Sequence, residues 1–423
     1  MNSRDKAELR PPPLRDDCFA LPAGVDWIPV DVALERLKAG LHPVLEIQDV
    51  SLADAAGRIV AHDLTALRSN PPAPNSAVDG YALAHASTGE GEQIIPLAEG
   101  RAAAGVPFKE PVPPGQAIRI LTGASMPEGT DTVILQEDVT TDGTRIAFRG
   151  PIKAGANSRK AGEDVVAGDI ILPQGRRVTP ADLALCAATG LDRLPVYEQL
   201  RVGVLSTGDE LADAGEPIES DRIYDANRPM LQALVRQFGY TAVDGGRISD
   251  ERDALRAALD RAAERADLII TSGGASSGDE DHVSALLNET DSMQLWRLAV
   301  KPGRPLALGL WNGKPVFGLP GNPVAALVCT LIFARPAMGV LAGEGWRSPE
   351  AVLVPAAFTK SKKPGRREYL RARLQDGRAE VFSSEGSGRI SGLSWATGLV
   401  ELPDGATRIE PGDPVRYLPF TAF

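Results

Sequence analysis

The chain has 423 residues, too many for one ordinary hydrophobic core, so two to four domains are expected. Its 43% hydrophobic and 24% charged residues are those expected of a soluble globular protein. A net charge of −11 argues against a general nucleic-acid or membrane-surface binder. Cys18, Cys186 and Cys329 are widely spaced without a metal-ligand pattern and read as buried thiols in a reducing compartment. No uninterrupted apolar run reaches the ~18 residues of a membrane span, and residues 1–17 lack a signal-peptide core. A cytoplasmic location is therefore expected.

In chain order, residues 1–25 mix charge with three consecutive prolines and read as a loose N-terminal arm. Apolar positions Val30, Val32, Ala33, Leu37 and Leu41 predict an amphipathic helix. A second helix is predicted over about 52–60, starting at Ser51 with Asp54 three residues on. Between 68 and 150 proline and glycine are frequent and the apolar runs are short (93–97, 116–121, 132–135, 145–148), the pattern of an inserted β domain. Helix returns at 179–188, where Pro180 suits a first turn. The helices of 26–67 and 160–194 are thus expected to form one discontinuous domain around a β insertion at 68–159. Residues 195–345 alternate strand and helix, an α/β domain with a parallel-rich sheet. Residues 346–423 alternate in β fashion and predict a barrel-like or sandwich C-terminal domain.

The α/β region carries the chemistry. The run 268–271 is short, apolar and β-branched, as a buried parallel strand requires, and enters Ser272-Gly273-Gly274 and then the acids Asp279, Glu280 and Asp281. A strand running into a Gly-rich loop and a helix exposes N–H groups to an anion. The acids after it would repel that anion unless a divalent cation lay between, which suggests phosphate with Mg²⁺. Alone, this is as well explained by a turn whose acids cap a helix. The design recurs, however, at 202–211, ending in Ser206-Thr207-Gly208-Asp209-Glu210-Leu211, and at 314–323, ending in Gly318-Leu319-Pro320-Gly321-Asn322-Pro323. Three such turns belong together at the carboxyl edge of one sheet, where open α/β sheets bind ligands.

The same stretches carry a family resemblance. They join Asn75-Ser76-Ala77-Val78-Asp79-Gly80-Tyr81-Ala82, Leu121-Thr122-Gly123-Ala124, Asn157-Ser158-Arg159 with Gly162-Glu163-Asp164, and Lys301-Pro302-Gly303-Arg304-Pro305. In this order, over roughly 30–400, the chain resembles the MoeA family of molybdopterin molybdenumtransferases, which includes the E domain of gephyrin. The resemblance implies four domains, the third of molybdopterin-binding type. It also implies an elongated homodimer whose cleft joins the α/β domain of one subunit to the β domain of the other. The implied reaction inserts molybdate into the dithiolene of adenylylated molybdopterin, with Mg²⁺-dependent release of AMP. Implied partners are a molybdopterin adenylyltransferase and molybdoenzyme-maturation proteins, with no nucleic acid or membrane.

The resemblance assigns Glu210, Asp281, Asp250 and Thr122 as candidate catalytic residues. Of these, Glu210 and Asp281 hold Mg²⁺ and Asp250 supports the same wall; a helix-terminal acid explains Asp250 equally well. Cofactor contacts fall on Ser206, Thr207, Gly208, Ser272, Gly273, Gly274, Lys301, Arg304, Pro320, Gly321, Asn322 and Pro323. Arg159, whose guanidinium fork suits molybdate, and Asp164 reach the cleft from the partner. Asp164 is also explained by an ion pair to Arg159 or a turn cap. The basic run Lys360, Lys362, Lys363, Arg366, Arg367, Arg371 and Arg373, with Ser387 nearby, could attract the pterin nucleotide, although a solvated hairpin face is the commoner origin of such a run. His62, His85 and His282 have no metal spacing around them.

One position departs from the family. Pro74 stands where an aspartate important for activity is usual, and proline offers no acid or side-chain hydrogen bond. Either a neighbour such as Asp79 compensates, or the chain is a non-catalytic pterin carrier or scaffold. A generic nucleotide hydrolase is disfavoured by the lack of a Walker-type Gly-Lys-Ser/Thr.

Overall fold

The computed structural model describes residues 27–217, 219–273, 282–289, 294–303, 305–386 and 388–423, without the side chains of 294–296 and 305. The expected N-terminal arm, with Cys18, lies outside these. Two compact units separate: residues 46–198, and residues up to 45 together with 199–423.

In the smaller unit, a six-stranded sheet runs in the order Thr132–Leu135, Gly80–Leu83, Ala117–Ile120, Gly91–Ala102, Arg145–Gly150, Thr140–Thr141. Its strand Gly80–Leu83 is buried throughout. Ala82 joins one apolar cluster, while Tyr81 and Leu83 join another on the opposite face. That alternation is the two-residue period of a strand covered on both sides. A separate core joins Ala55, Val60 and Leu64 to Leu172, Val178, Cys186, Leu194 and Val196, so segments before and after the sheet pack together. Strands Ile47–Ser51 and Arg193–Tyr197 pair antiparallel there. The helix Pro180–Ala188 opens with a full capping box between Thr179 and Asp182.

Two sequence expectations change here. The helix expected over 52–60 is only Leu52–Ala55. Gly57 takes φ +75°, and Ile59 and Val60 turn into β-bridges with Arg177 and Val196. Ser51 Oγ donates to the Asp54 carboxylate at 2.7 Å, so no side chain caps that helix. The segment 26–67 also divides: the helix Val30–Gly40 groups with 199–423 rather than with the helices beyond residue 160. Asp31 at its start accepts from both Arg367 amino groups, at 2.7 and 2.8 Å.

In the larger unit the sheet order is Thr241–Ile248, Arg201–Thr207, Leu268–Ser272, Lys314–Leu319, Pro305–Trp311, Gln294–Arg297. The first four strands are parallel, Pro305–Trp311 runs against them, and Gln294–Arg297 pairs antiparallel to it. Helix Arg252–Arg265 buries Leu255, Ala258, Leu259, Ala262 and Ala263 against the sheet, a three-and-four spacing that keeps one face inward.

The helical stretch Pro323–Leu341 has the length and apolarity of a membrane span, yet beyond the half-buried Pro323 it is buried within the protein. It carries Arg335, whose charge is met by Glu344 at 3.2 Å and whose guanidinium lies over Phe238 and Tyr240. The ladder widens to π at Thr330–Ala334 just ahead of Pro336, which has no N–H to give it.

The C-terminal strands follow the path Val352–Pro355, Pro414–Pro419, Gly398–Leu402, Arg367–Gln375, with Arg378–Val381 beside the last. A bridge from Ala379 to Ala356 returns that edge to the first strand, giving a barrel-like closure around Ala372, Val400, Val415 and Tyr417. A short helix, Ser391–Trp395, interrupts what the sequence suggests is β throughout.

Candidate active site

Parallel pairing places the ends of four strands at one edge. Thr207 is level with Ile248, and Ser206 with Ser272, which is level with Leu319. The turns 208–210, 249–250, 273 and 320–322 therefore gather at one rim, as the three repeated loops predict.

The backbone there is fixed by contact. Gly273 has φ +95°, and a Cβ at this position would lie 2.5 Å from the Thr207 carbonyl oxygen. No other residue fits without moving the adjacent strand. The Gly273 N–H donates to the Leu319 carbonyl at 3.1 Å. Asn227 completes the clamp: its Nδ2 donates to Ser272 Oγ and to the Gly321 carbonyl, each at 2.7 Å. Asn322 Oδ1 accepts from the Val324 N–H at 3.2 Å and caps the helix that Pro323 begins.

Glu210 folds back over the first loop: a Cβ on Gly208 would meet its Oε2 at 2.5 Å. Asp250 and Asp209 lock two loops reciprocally. The Asp209 N–H donates to Asp250 Oδ2 at 3.3 Å, and the Asp250 N–H donates to Asp209 Oδ1 at 3.1 Å. Asp250 thus positions the Glu210 loop through the residue beside it.

The hydroxyls along this edge are buried, and most are unsatisfied. Ser206 Oγ, Thr207 Oγ1, Thr271 Oγ1 and Asn227 Oδ1 have no hydrogen-bond partner among the described residues. A buried hydroxyl without a partner costs roughly 1–3 kcal/mol, and such groups close together call for a water, an ion or a ligand to complete them. Behind it, Arg228 is enclosed by Asp225, Asp213 and Asp244. Burial opposes its charge, but the Asp244 hydrogen bonds and the three carboxylates outweigh this and hold its pKa above the ordinary value. Sequence reasoning does not single out Asn227 or Arg228. Their one signal is Asp225-Ala226-Asn227 at a helix start, which resembles any cap.

A second feature lies in the same unit. Lys301, Pro302, Val324, Thr359, Lys360, Arg371 and Glu385 help line a cavity of about 200 Å³. Lys301 Nζ donates to Glu385 Oε2 at 2.5 Å, and Lys360 Nζ donates to the other oxygen. Beneath them, Glu368 is buried, with Lys360 at 3.5 Å, Arg366 at 3.7 Å and Lys301 at 3.9 Å. Gly303 packs so tightly on the apolar helix that a Cβ would sit 2.6 Å from Cys329 Sγ, which fixes the turn after Lys301. Lys301 and Lys360, expected in different roles, converge.

Lys363 of the basic run is exposed, but most of the rest is tied into the structure. Arg371 donates to the carbonyls of Ser384, Gly386 and Arg389 and lies over Phe382. Lys362 is buried on the carbonyls of Lys363, Asp404 and Gly405. Arg373 pairs with Glu380 and lies over Trp395.

In the smaller unit, Thr122 donates from both N and Oγ1 to Asp79 Oδ1, each at 2.7 Å. Those two hydrogen bonds hold the Asp79 pKa below its ordinary value, so it stays ionised, with one carboxylate oxygen already engaged by Thr122. Arg159 is level with Asn75, one residue from the exposed Pro74. Asp164 does not meet it through a hydrogen bond but accepts from Asn70 Nδ2 at 3.0 Å. Gly274, Asp281, Arg304 and Ser387 lie outside the described residues. Among those described, no three His, Cys, Asp or Glu are grouped to hold a metal. Cys186 and Cys329 are free and buried, and burial pushes the Cys329 thiol up to about 12.

Family profiles match along the chain: the MoeA N-terminal region (domain I and II) at 28–190, a probable molybdopterin binding domain at 203–339, and the MoeA C-terminal region (domain IV) at 354–420. The molybdopterin molybdenumtransferase of Haemophilus influenzae is 37% identical over 400 residues, covering 92% of this chain and 98% of that protein. The Bacillus subtilis enzyme of the same name is 32% identical over 412 residues, covering 92% and 94%. A solved MoeA structure from Pyrococcus horikoshii OT3 superposes with a TM-score of 0.82 at 27% identity, covering 93% of this chain and all of that one. With the three regions in one order and the sheet edge, helix cap and cationic cavity built as described, the chain belongs to the MoeA family of molybdopterin molybdenumtransferases.

Proposed function

We propose that the chain inserts molybdate into the dithiolene of adenylylated molybdopterin and releases AMP. The observation that carries this is the row of buried, unpartnered hydroxyls at the carboxyl edge, within the same unit as a cavity where lysines converge. The edge offers hydroxyls and backbone donors to phosphates. The cavity offers Lys301 and Lys360 to a tetrahedral oxyanion, with Arg371 also in its lining and Arg366 behind them on Glu368. The start of helix Pro323–Leu341 serves both, with Asn322 capping it at the edge and Val324 lining the cavity.

Mg²⁺ needs only one or two carboxylates because it retains water, and the donors at this edge are hard oxygens, which it prefers. Glu210 is the described residue that would hold it, with Asp281 as its expected companion, and it would neutralise charge at the phosphoanhydride. Asp250 keeps the Glu210 loop in place, and Asn227 keeps the neighbouring turns at their spacing. A second copy of the chain is proposed to bring Thr122, Arg159 and Asp164 to this cleft.

A carrier reading is favoured by one feature, Pro74, with Asp79 already engaged by Thr122. AMP release from adenylylated molybdopterin with Mg²⁺, with and without molybdate, separates the two. Molybdate-stimulated release is expected. Tight pterin binding without release, rescued by Pro74→Asp, would instead show a carrier. Sedimentation of the full chain tests the dimer.

A further inference from the structure

Glu385 raises a question that the proposed reaction leaves open. A cavity meant for an oxyanion already contains an anion. The Glu385 carboxylate bridges Lys301 and Lys360, one oxygen to each, within the cavity they line. Its side chain is 42% exposed, against 14% and 15% for the two lysines and 5% for Glu368 below them. The permanent counter-charge is therefore Glu368, fixed and buried. Glu385 is the one carboxylate of the pair that can leave toward solvent.

The charge balance points the same way. Lys301, Lys360 and Arg366 face Glu368 within 4 Å. With Glu385 turned away, these four groups carry a net charge of plus two, and Arg371 in the cavity wall adds a third positive charge, so a tetrahedral dianion is accommodated with charge to spare. With Glu385 in place, much of that attraction is already satisfied internally. Burial would raise the pKa of Glu385, but hydrogen bonds and charge from Lys301 and Lys360 outweigh this and keep it ionised. Its backbone is held on both sides, because Arg371 donates to the carbonyls of Ser384 and Gly386. Departure is a side-chain rotation, with no loop opening required.

We propose that Glu385 is a resident counter-anion of the oxyanion pocket, occupying the position of a tetrahedral dianion between Lys301 and Lys360 and swinging out when one binds. This rests on the reading of the cavity as the oxyanion receptor. Glu385 is then a specificity-determining residue. It sets a threshold that weakly held anions do not pass, and it keeps two largely buried lysines compensated while the pocket is empty.

The test is calorimetric titration of the full chain with molybdate alone, and with sulfate as a second tetrahedral dianion, for the unmodified protein, Glu385→Gln and Lys360→Gln. Glu385→Ala guards against a glutamine that still bonds both lysines, and thermal melts check folding. The expected result is about tenfold tighter oxyanion binding in Glu385→Gln and Glu385→Ala, the size of one charge-assisted contact removed from competition. Lys360→Gln should lose binding at least as strongly. If the Glu385 variants bind no tighter while Lys360→Gln binds more weakly, the counter-anion role is overturned and the pocket stands. If Lys360→Gln binds as the unmodified protein does, the cavity is not the receptor, and the inference falls with that reading.

Discussion

The sheet edge at 206–210, 272–273 and 320–323 and the basic run at 360–373 are both rich in polar side chains, yet they are finished differently. Along the run, Lys362 and Arg371 are used up on backbone carbonyls, and Arg367 is shared between Asp31 and Asp404. At the edge, Ser206, Thr207, Thr271 and Asn227 keep buried polar atoms with no partner among the described residues. Charge is the more visible feature in a sequence, yet most of it is spent on structure here. Unpartnered buried atoms also occur singly elsewhere, Glu368 Oε2 within the run among them, but four lie together at the edge, where a water, an ion or a ligand would complete them. Lys301 and Lys360 stand between the two cases: they are paired, but to a carboxylate that reaches solvent.

The sharpest way to break this contrast is Lys301→Ala. If the cavity is functional, molybdate-stimulated AMP release should fall about 10²–10³-fold, as for loss of a charged contact in a reacting site, with little change in melting temperature. Activity within about threefold of the unmodified protein, below the loss of one neutral hydrogen bond, would place Lys301 with the structural cations. Next, Gly273→Ala brings a Cβ to 2.5 Å from the Thr207 carbonyl oxygen at φ +95°. It should destabilise the larger unit by about 2–3 kcal/mol, read from urea midpoints. Arg371→Met tests the other side of the comparison. It leaves the carbonyls of Ser384, Gly386 and Arg389 without their donor and should cost about 2 kcal/mol, while hydrogen exchange rises across the segment that carries them.

Smaller effects refine the picture. Asp182→Ala removes half of a capping box in the smaller unit, together with its acceptor for Arg176, and should cost about 1 kcal/mol. Melting of the smaller unit should shift while that of the larger unit stays fixed. Last, the Asp31 pKa is lowered chiefly by its hydrogen bond to Arg367, against a smaller effect of burial. A carboxylate lowered in the folded state stabilises above its unfolded pKa and loses that contribution as pH falls through the folded value. Anchoring of helix Val30–Gly40 should therefore weaken as pH drops below about 4. Asp31→Asn should flatten that part of the pH–stability profile.

Much of this is legible in the sequence for a specific reason. Buried parallel strands are written as short apolar runs, and their ends as glycine turns, so 202–208, 268–273 and 314–321 are recognisable without coordinates. The helix at 252–265 is equally plain from its spacing. What stays hidden depends on partners far away in the chain. Nothing near residue 52 says that Ile59 will bridge Arg177, so a helix read from local pattern runs too long. The destination of helix Val30–Gly40 is set by partners beyond residue 290, among them Leu298, Leu341 and Arg367. Asn227 reads as an ordinary cap until Ser272 and Gly321 are seen beside it. Among the basic residues, one-dimensional reading can count cations but cannot see which carbonyls await Arg371 and Lys362, or that Glu385 lies between two lysines.

The tight approaches at Gly273 and Gly303 have a consequence at the level of the gene. Any missense change in a glycine codon installs at least a Cβ. At position 273 that carbon meets the Thr207 backbone, and at position 303 it meets Cys329 Sγ on the buried helix. In a saturation library scored for cofactor maturation, columns 273 and 303 should therefore be nearly blank, conservative changes to alanine and serine included. Gly313 and Gly377, which have open space around them, should lose signal only through their positive φ, and asparagine should partly survive there. The contrast between blank and shaded glycine columns would map the backbone packing beneath the site without any structural measurement.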